Sequence, residues 1–355
     1  MSTKPDYAER SIVNLSSGIA EYLGHEPLYT PLQIQGKSLL DYGKSVLLLV
    51  LDGLGYNYLQ RHVSEGSLDT HLSDCLTSVF PASTGSAITS IFTATAPLQY
   101  GITGWFVYLK ELGMVSRFLP FTPLTDYRPL NVEISRFVGA PPILDNPGVS
   151  SVVLQSDHII DSKFSVHMCG DAQRIGFQSL GALFDSLAFH LAKFEKRFVY
   201  AYWDGLDSRA HEYGCEHSRT LKHLELIDEK FTNFINNIPK NVLVLVTADH
   251  GFVDATPETL IHTSDHPELM ETLIMPVCGD TRGGYCYVRP SRTEEFEEYV
   301  HTNLSHACTL LRSCDMVDEG WFGLFDPGAG FESRVGDYVL LMKDNYALLN
   351  TLPGR

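Results

Sequence analysis

The chain has no CxxC pair, no apolar run of membrane-spanning length and no surplus of basic residues. Each absence excludes something. The seven cysteines (Cys75, Cys169, Cys215, Cys278, Cys286, Cys308 and Cys314) are scattered and odd in number. Their spacing encodes neither a disulfide framework nor a structural zinc site. Cys278 and Cys286 flank a Gly-Gly turn and are the pair placed to meet. As a set they read as reduced thiols of a cytoplasmic protein. The opening residues 1–13 agree with that expectation, lacking the charged-then-apolar pattern of a secretion signal. With 26 Lys and Arg against 43 Asp and Glu, the net charge of −17 argues against a general nucleic-acid or anionic-membrane binder. It also sets a problem for any enzyme acting on phosphates, which needs a local positive centre. Bound cations are the simplest supply.

What the chain does contain is a series of apolar runs that end in acid. Ser45–Leu51 (SVLLLVL) is short and apolar throughout, as a strand buried on both faces of a parallel sheet should be. Similar runs lie at 151–154, 198–203 (FVYAYW) and 242–247 (VLVLVT). Between them come helical patterns. One carries Leu180, Leu183, Phe184, Leu187, Leu191 and Phe194; the next carries Leu221, Leu224, Ile227, Phe231, Phe234 and Ile238. The alternation predicts a single catalytic α/β domain over 1–355, three-layered α/β/α with a mostly parallel central sheet. Residues 252–332 are rich in turns and are expected to form a small inserted cap. The run 338–342 (YVLLM) is expected to return to the main sheet.

Three of these runs deliver a carboxylate at the strand end, where ligands gather in parallel α/β folds. Asp52 follows the first run, Asp207 closes DGLD after 198–203, and Asp249 with His250 follows 242–247. A single such Asp would read as a turn or helix cap. Repetition with histidines reads better as a ligand set. Asp207 and His211 stand four apart and share one face if the segment is helical. Carboxylate and imidazole together suit Zn2+, with Mn2+ as the alternative. Residues 80–87 (FPASTGSA) put small hydroxyl residues before an apolar helix, either as an N-cap or as a nucleophile facing free backbone amides. A metal can activate such a hydroxyl without a neighbouring base.

In this order the segments LDGLG, STGSAITSIFTATAPLQYGITGW, DSRAHEYG and TADHG resemble the alkaline phosphatase superfamily. They are most similar to its type I phosphodiesterase/nucleotide pyrophosphatase branch. The motifs span 45–251; each alone is weak, and the ordered set is specific. Counting back nine residues from Thr93, the resemblance places the nucleophile on Thr84. It implies two zinc-like ions: one held by Asp52, Asp249 and His250 with Thr84, the other by Asp207, His211 and a third histidine. It also implies a phosphothreonine intermediate and a small phosphorylated substrate, a nucleotide being one option. Two departures stand out. The family's third histidine lies in a C-terminal His-Gly context that does not follow 346–349 here, which leaves His262 and, as the first choice, His266. The family's phosphoryl-binding asparagine on the nucleophile helix is matched here by Ala87. A phosphomonoesterase on the same scaffold and a non-catalytic metal-binding relic are the alternatives. The sulfatase signature, Cys/Ser-x-Pro-x-Arg, does not occur at the nucleophile position. Trp105, Phe106 and Tyr108 are candidates either to stack a base or to fill a core. Arg209 and Arg282 are candidates to contact phosphate.

Overall fold

The computed structural model describes residues 3–193 and 195–350. Phe194, the last residue of the first helical pattern, lies outside them. In chain order the first eight strands are β1 (Ser45–Leu51), β2 (Phe106–Leu109), β3 (Met114–Arg117), β4 (Thr122–Pro123), β5 (Ser150–Ser156), β6 (Gln173–Phe177), β7 (Arg197–Trp203) and β8 (Val242–Thr247). The remaining six are β9 (Leu260–His262), β10 (Cys278–Asp280), β11 (Gly283–Cys286), β12 (Cys308–Arg312), β13 (Tyr338–Met342) and β14 (Ala347–Leu349).

A five-stranded sheet in the order β6-β5-β7-β1-β8 carries the predicted strands, and every pairing in it is parallel. β1 is buried along its whole length because its alternate side chains enter two cores. Val46, Leu48 and Val50 pack with helices Ile12–Leu23 and Thr84–Thr93; Leu47, Leu49 and Leu51 pack with helices Leu180–Leu191 and Ser218–Asn237. The equally apolar β8 differs. It stands at the sheet's edge, pairs with β1, and is half-exposed along most of its length. Edge position, which an apolar run does not encode, accounts for the difference.

A second sheet, β12-β13-β11-β10-β2-β3-β4, is antiparallel throughout. It corrects one expectation. The run 338–342 does not return to the main sheet but is inserted as β13 between β11 and β12, with Val339 opposite both Tyr285 and Leu311. Its alternating faces match cores built from this second sheet, with Leu340 and Met342 in one and Val339 in the other. The sheet thus draws strands from before, within and after 252–332. Cys278 and Cys286 do not meet either. Cys278 lies opposite Tyr285, and the two cysteines point into different cores. All seven cysteines are free. Among the described residues no helix is long and apolar enough to cross a membrane.

Candidate active site

The first sheet ends in carboxylates at its C-terminal edge. Asp52 follows β1 directly and is 3% exposed; Asp249 stands two residues beyond β8 and is fully buried. Both are anchored. Tyr202 on β7 donates its hydroxyl to Asp52 Oδ2. Asp249 Oδ1 accepts the backbone N–H groups of Gly53 (3.1 Å) and His250 (2.9 Å). The opposite oxygens, Asp52 Oδ1 and Asp249 Oδ2, are buried with no hydrogen-bond partner. Buried acceptors left this way are costly unless something positive fills the space between them.

His250 faces that space. Its Nδ1–H donates to the Gly251 carbonyl at 3.1 Å, because a carbonyl can only accept. In the neutral ring Nε2 then carries its lone pair inward, the tautomer of a metal-ligating histidine. From Nε2 it is 3.1 Å to Thr84 Oγ1, 3.3 Å to Asp52 Oδ1 and 3.8 Å to Asp249 Oδ2. Two ligands each about 2.0–2.1 Å from a tetrahedral ion stand about 3.3 Å apart. Asp52, Asp249 and His250 form a three-ligand group with all ligand atoms within 4.8 Å of one another. The residues fit a cation. Electrostatics agree: burial first, then the charges of Asp249 and Asp207, hold the Asp52 carboxyl well above the usual carboxylate range. Burial works against a charged His250, yet Asp249 and Asp207 outweigh it and raise its pKa.

Thr84 is the first residue of helix Thr84–Thr93, after Ser83 in extended backbone. Ala87 N–H returns to the Ser83 carbonyl, while no side chain caps the helix start. The amides of the first turn consequently face the same region as Thr84 Oγ1. The helix places its small residues for close packing. A Cβ on Gly85 would lie 3.1 Å from the Gly104 carbonyl oxygen, and one on Gly104 would lie 2.7–2.9 Å from the Gly279 backbone.

Helix Gly205–Tyr213 brings Asp207 and His211 together, Oδ2 to Nε2 at 3.4 Å. Asp207 is close enough to Asp249 and His250 to feel both charges, and burial raises its pKa against the pull of His211. His266 does not join Asp207 and His211 in a compact three-ligand group among the described residues. Its Nδ1 lies 2.9 Å from the Tyr299 hydroxyl, and the helix it precedes, Pro267–Thr272, packs into the core of the second sheet. Among the described residues no side-chain hydrogen bond or ion pair joins it to Asp207 or His211. His262 lies in β9, paired with β14. Arg282 is turned to the Lys343 and Tyr346 carbonyls, and Arg209 to Gly205 O at 2.6 Å. Phe106 and Tyr108 pack against a core, with Tyr108 edge-on to Tyr287.

Sequence reasoning missed two contributors. Tyr202 is one; its signal was a phenol in a strand buried on both faces, whose hydroxyl must find a partner. Asp280 is the other. Its Oδ2 accepts the Trp105 N–H at 3.3 Å, and it lies close enough to His250 to favour charge there. Nothing in the turn-rich segment around it gave it away.

Murine ectonucleotide pyrophosphatase/phosphodiesterase 5 superposes with a TM-score of 0.65 at 15% identity, covering 88% of this chain and 82% of that one. An inactive variant of it in complex with AMP gives 0.63 at 16%, covering 86% and 80%. The human protein of the same name gives 0.62 at 18%, covering 87% and 81%. At these identities the likeness shows the fold. No curated protein sequence matches. The family described as type I phosphodiesterase/nucleotide pyrophosphatase matches over residues 46–352. The chain belongs to the type I phosphodiesterase/nucleotide pyrophosphatase family and is a hydrolase of that type.

Proposed function

We propose that this chain hydrolyses a phosphodiester or nucleotide-type pyrophosphate through a phosphothreonine at Thr84, in a site for two divalent cations, zinc or manganese. The observation that carries the reading is Thr84 Oγ1 meeting His250 Nε2 at 3.1 Å beside two buried, unbonded carboxylate oxygens. Asp52, Asp249 and His250 would hold one cation, and Asp207 with His211 supplies two ligands for the second. Bound there, the cations would stabilise negative charge on the threonine, phosphoryl and leaving oxygens. Thr84 loses its proton and attacks phosphorus. The Oγ1–P bond forms as the bond to the leaving oxygen breaks, and that oxygen departs protonated. Water then attacks phosphorus, the P–Oγ1 bond breaks, and the phosphoryl group leaves while Thr84 recovers its proton. Amides of the first helical turn receive the phosphoryl oxygens throughout. The murine relative, solved with AMP in an inactive threonine-to-alanine form, supports both a nucleotide ligand and a threonine nucleophile. Helices on both faces of the parallel sheet support the three-layer reading of the catalytic domain. The seven free cysteines support a reducing compartment.

The test is Thr84→Ala. Hydrolysis of an aryl phosphodiester should fall by at least about a thousandfold, a loss of roughly 4 kcal/mol in transition-state stabilisation, while bound zinc stays near the wild-type amount. Wild-type rates in this variant would remove the mechanism.

A further inference from the structure

The nucleophile is flanked by two segments of the second sheet, and contacts without side chains set the spacing. The Gly85 backbone lies on Gly104, and the Gly104 backbone lies on Gly279. Trp105 and Asp280, the residues that follow Gly104 and Gly279, are thereby carried to the rim of the Thr84 site. Gly279 is also the residue of β10 that pairs with Phe106 of β2, which fixes the register of the two segments. Asp280 is held on both sides. Oδ2 accepts the Trp105 N–H at 3.3 Å and Oδ1 accepts the Thr281 N–H at 3.0 Å. Among the described residues it forms no ion pair. Backbone amides stabilise a carboxylate without cancelling its charge, so a full negative charge is fixed beside the place where phosphate must sit.

A fixed anion at this position treats two substrate classes differently. A phosphodiester carries one negative charge at neutral pH, and a phosphomonoester carries nearly two. The second charge meets repulsion from Asp280 in a site partly shielded from water, where screening is weak. Building on the hydrolase reading above, we infer that Asp280 makes the site select phosphodiesters by rejecting dianionic phosphomonoesters. Its role is specificity, exerted on the phosphoryl group through space while Trp105 keeps it in place.

Asp280→Asn removes the charge at nearly constant size and keeps one acceptor oxygen, enough for one of the two amide N–H groups that the carboxylate serves. The measurement is kcat/KM for an aryl phosphomonoester and for its aryl methyl diester at pH 8, with zinc present. The expected result is that the monoester-to-diester ratio rises at least tenfold in the variant. A ratio within twofold of wild type would overturn the inference, since a merely structural role would lower both rates together. Binding gives a second readout that does not require turnover. On zinc-loaded Thr84→Ala protein, adding Asp280→Asn should tighten inorganic phosphate at least tenfold and leave dimethyl phosphate within twofold. Equal effects on both ligands would also overturn it. Wild-type protein that hydrolyses neither ester would remove the hydrolase reading instead, and the two binding constants would still decide the role of Asp280.

Discussion

Buried behind the carboxyl edge of the main sheet, His223 accepts the Trp203 indole N–H at its Nε2, 3.0 Å away. That bond needs a neutral ring. Burial first, and then the nearby Arg209, push the His223 pKa down to about 4. An unfolded histidine titrates near 6.5, so the unfolded chain binds the proton more readily. The stability that neutral His223 contributes is complete above about pH 6.5 and is lost as pH falls through about 4. The loss is worth about 1–3 kcal/mol, the lower figure allowing for solvent near the ring. His223→Gln keeps an acceptor for Trp203 and removes the titration. Urea unfolding at pH 7 and pH 4.5 should show wild type losing more stability than the variant by that amount. Parallel losses would dismiss the account. At this scale much of the site was legible. Asp52, Asp249 and His250 were legible because acids recur at the ends of several apolar runs, with histidines beside them, which turns or caps at single strand ends do not explain. Asp280 gave no such signal, since it acts through a contact 175 residues away in sequence.

Among elements, the turn joining Thr103 to Trp105 is the most constrained near the site. Gly104 has φ +140°, which side chains rarely adopt, and an added Cβ would stand within 2.9 Å of the Gly279 backbone. Gly104→Ala should cost about 2–4 kcal/mol from strain and overpacking together. Thermal unfolding of the purified variant checks this, and an unchanged melting temperature would contradict it. The elements themselves were unequally readable. β1 and β7, buried in the middle of the sheet, appear as long apolar runs, and β5 beside them as the shorter run 152–154. β6, with Gln173 and Arg174 exposed at the opposite edge, carries no such run. The run 338–342 correctly signalled a buried strand, but hydrophobicity records burial and says nothing of partners. Its place in the second sheet depends on its pairing with β11, part of which reads as a strand-like run at 285–288, and with β12, and the run itself names neither partner. His266 was chosen from its sequence neighbourhood, and the fold sets its Nδ1 against the Tyr299 hydroxyl, a partner the sequence does not indicate.

For the molecule as a whole, a net charge of −17 together with a buried group of converging carboxylates predicts linkage between cation binding and folding. An ion that binds only the folded chain stabilises it by about 2.7 kcal/mol at a hundred times its dissociation constant. Chelator-stripped protein should melt several degrees below the zinc-loaded form. The gap should persist in Thr84→Ala, which retains Asp52, Asp249 and His250, and should shrink in Asp52→Asn. Differential scanning calorimetry of the three proteins with and without zinc decides the matter. A gap that survives Asp52→Asn undiminished would place the stabilising ion somewhere else.

The threading of β13 between β11 and β12 has a consequence for biosynthesis. A ribosome finishes Thr84, Asp249 and His250 well before it reaches Tyr338, yet β11 lacks one neighbour until that strand emerges. The nascent chain can therefore assemble its parallel sheet early, while the wall carrying Asp280 waits for β13 to be translated. Selectivity, on this ordering, matures after the reactive groups are already in place.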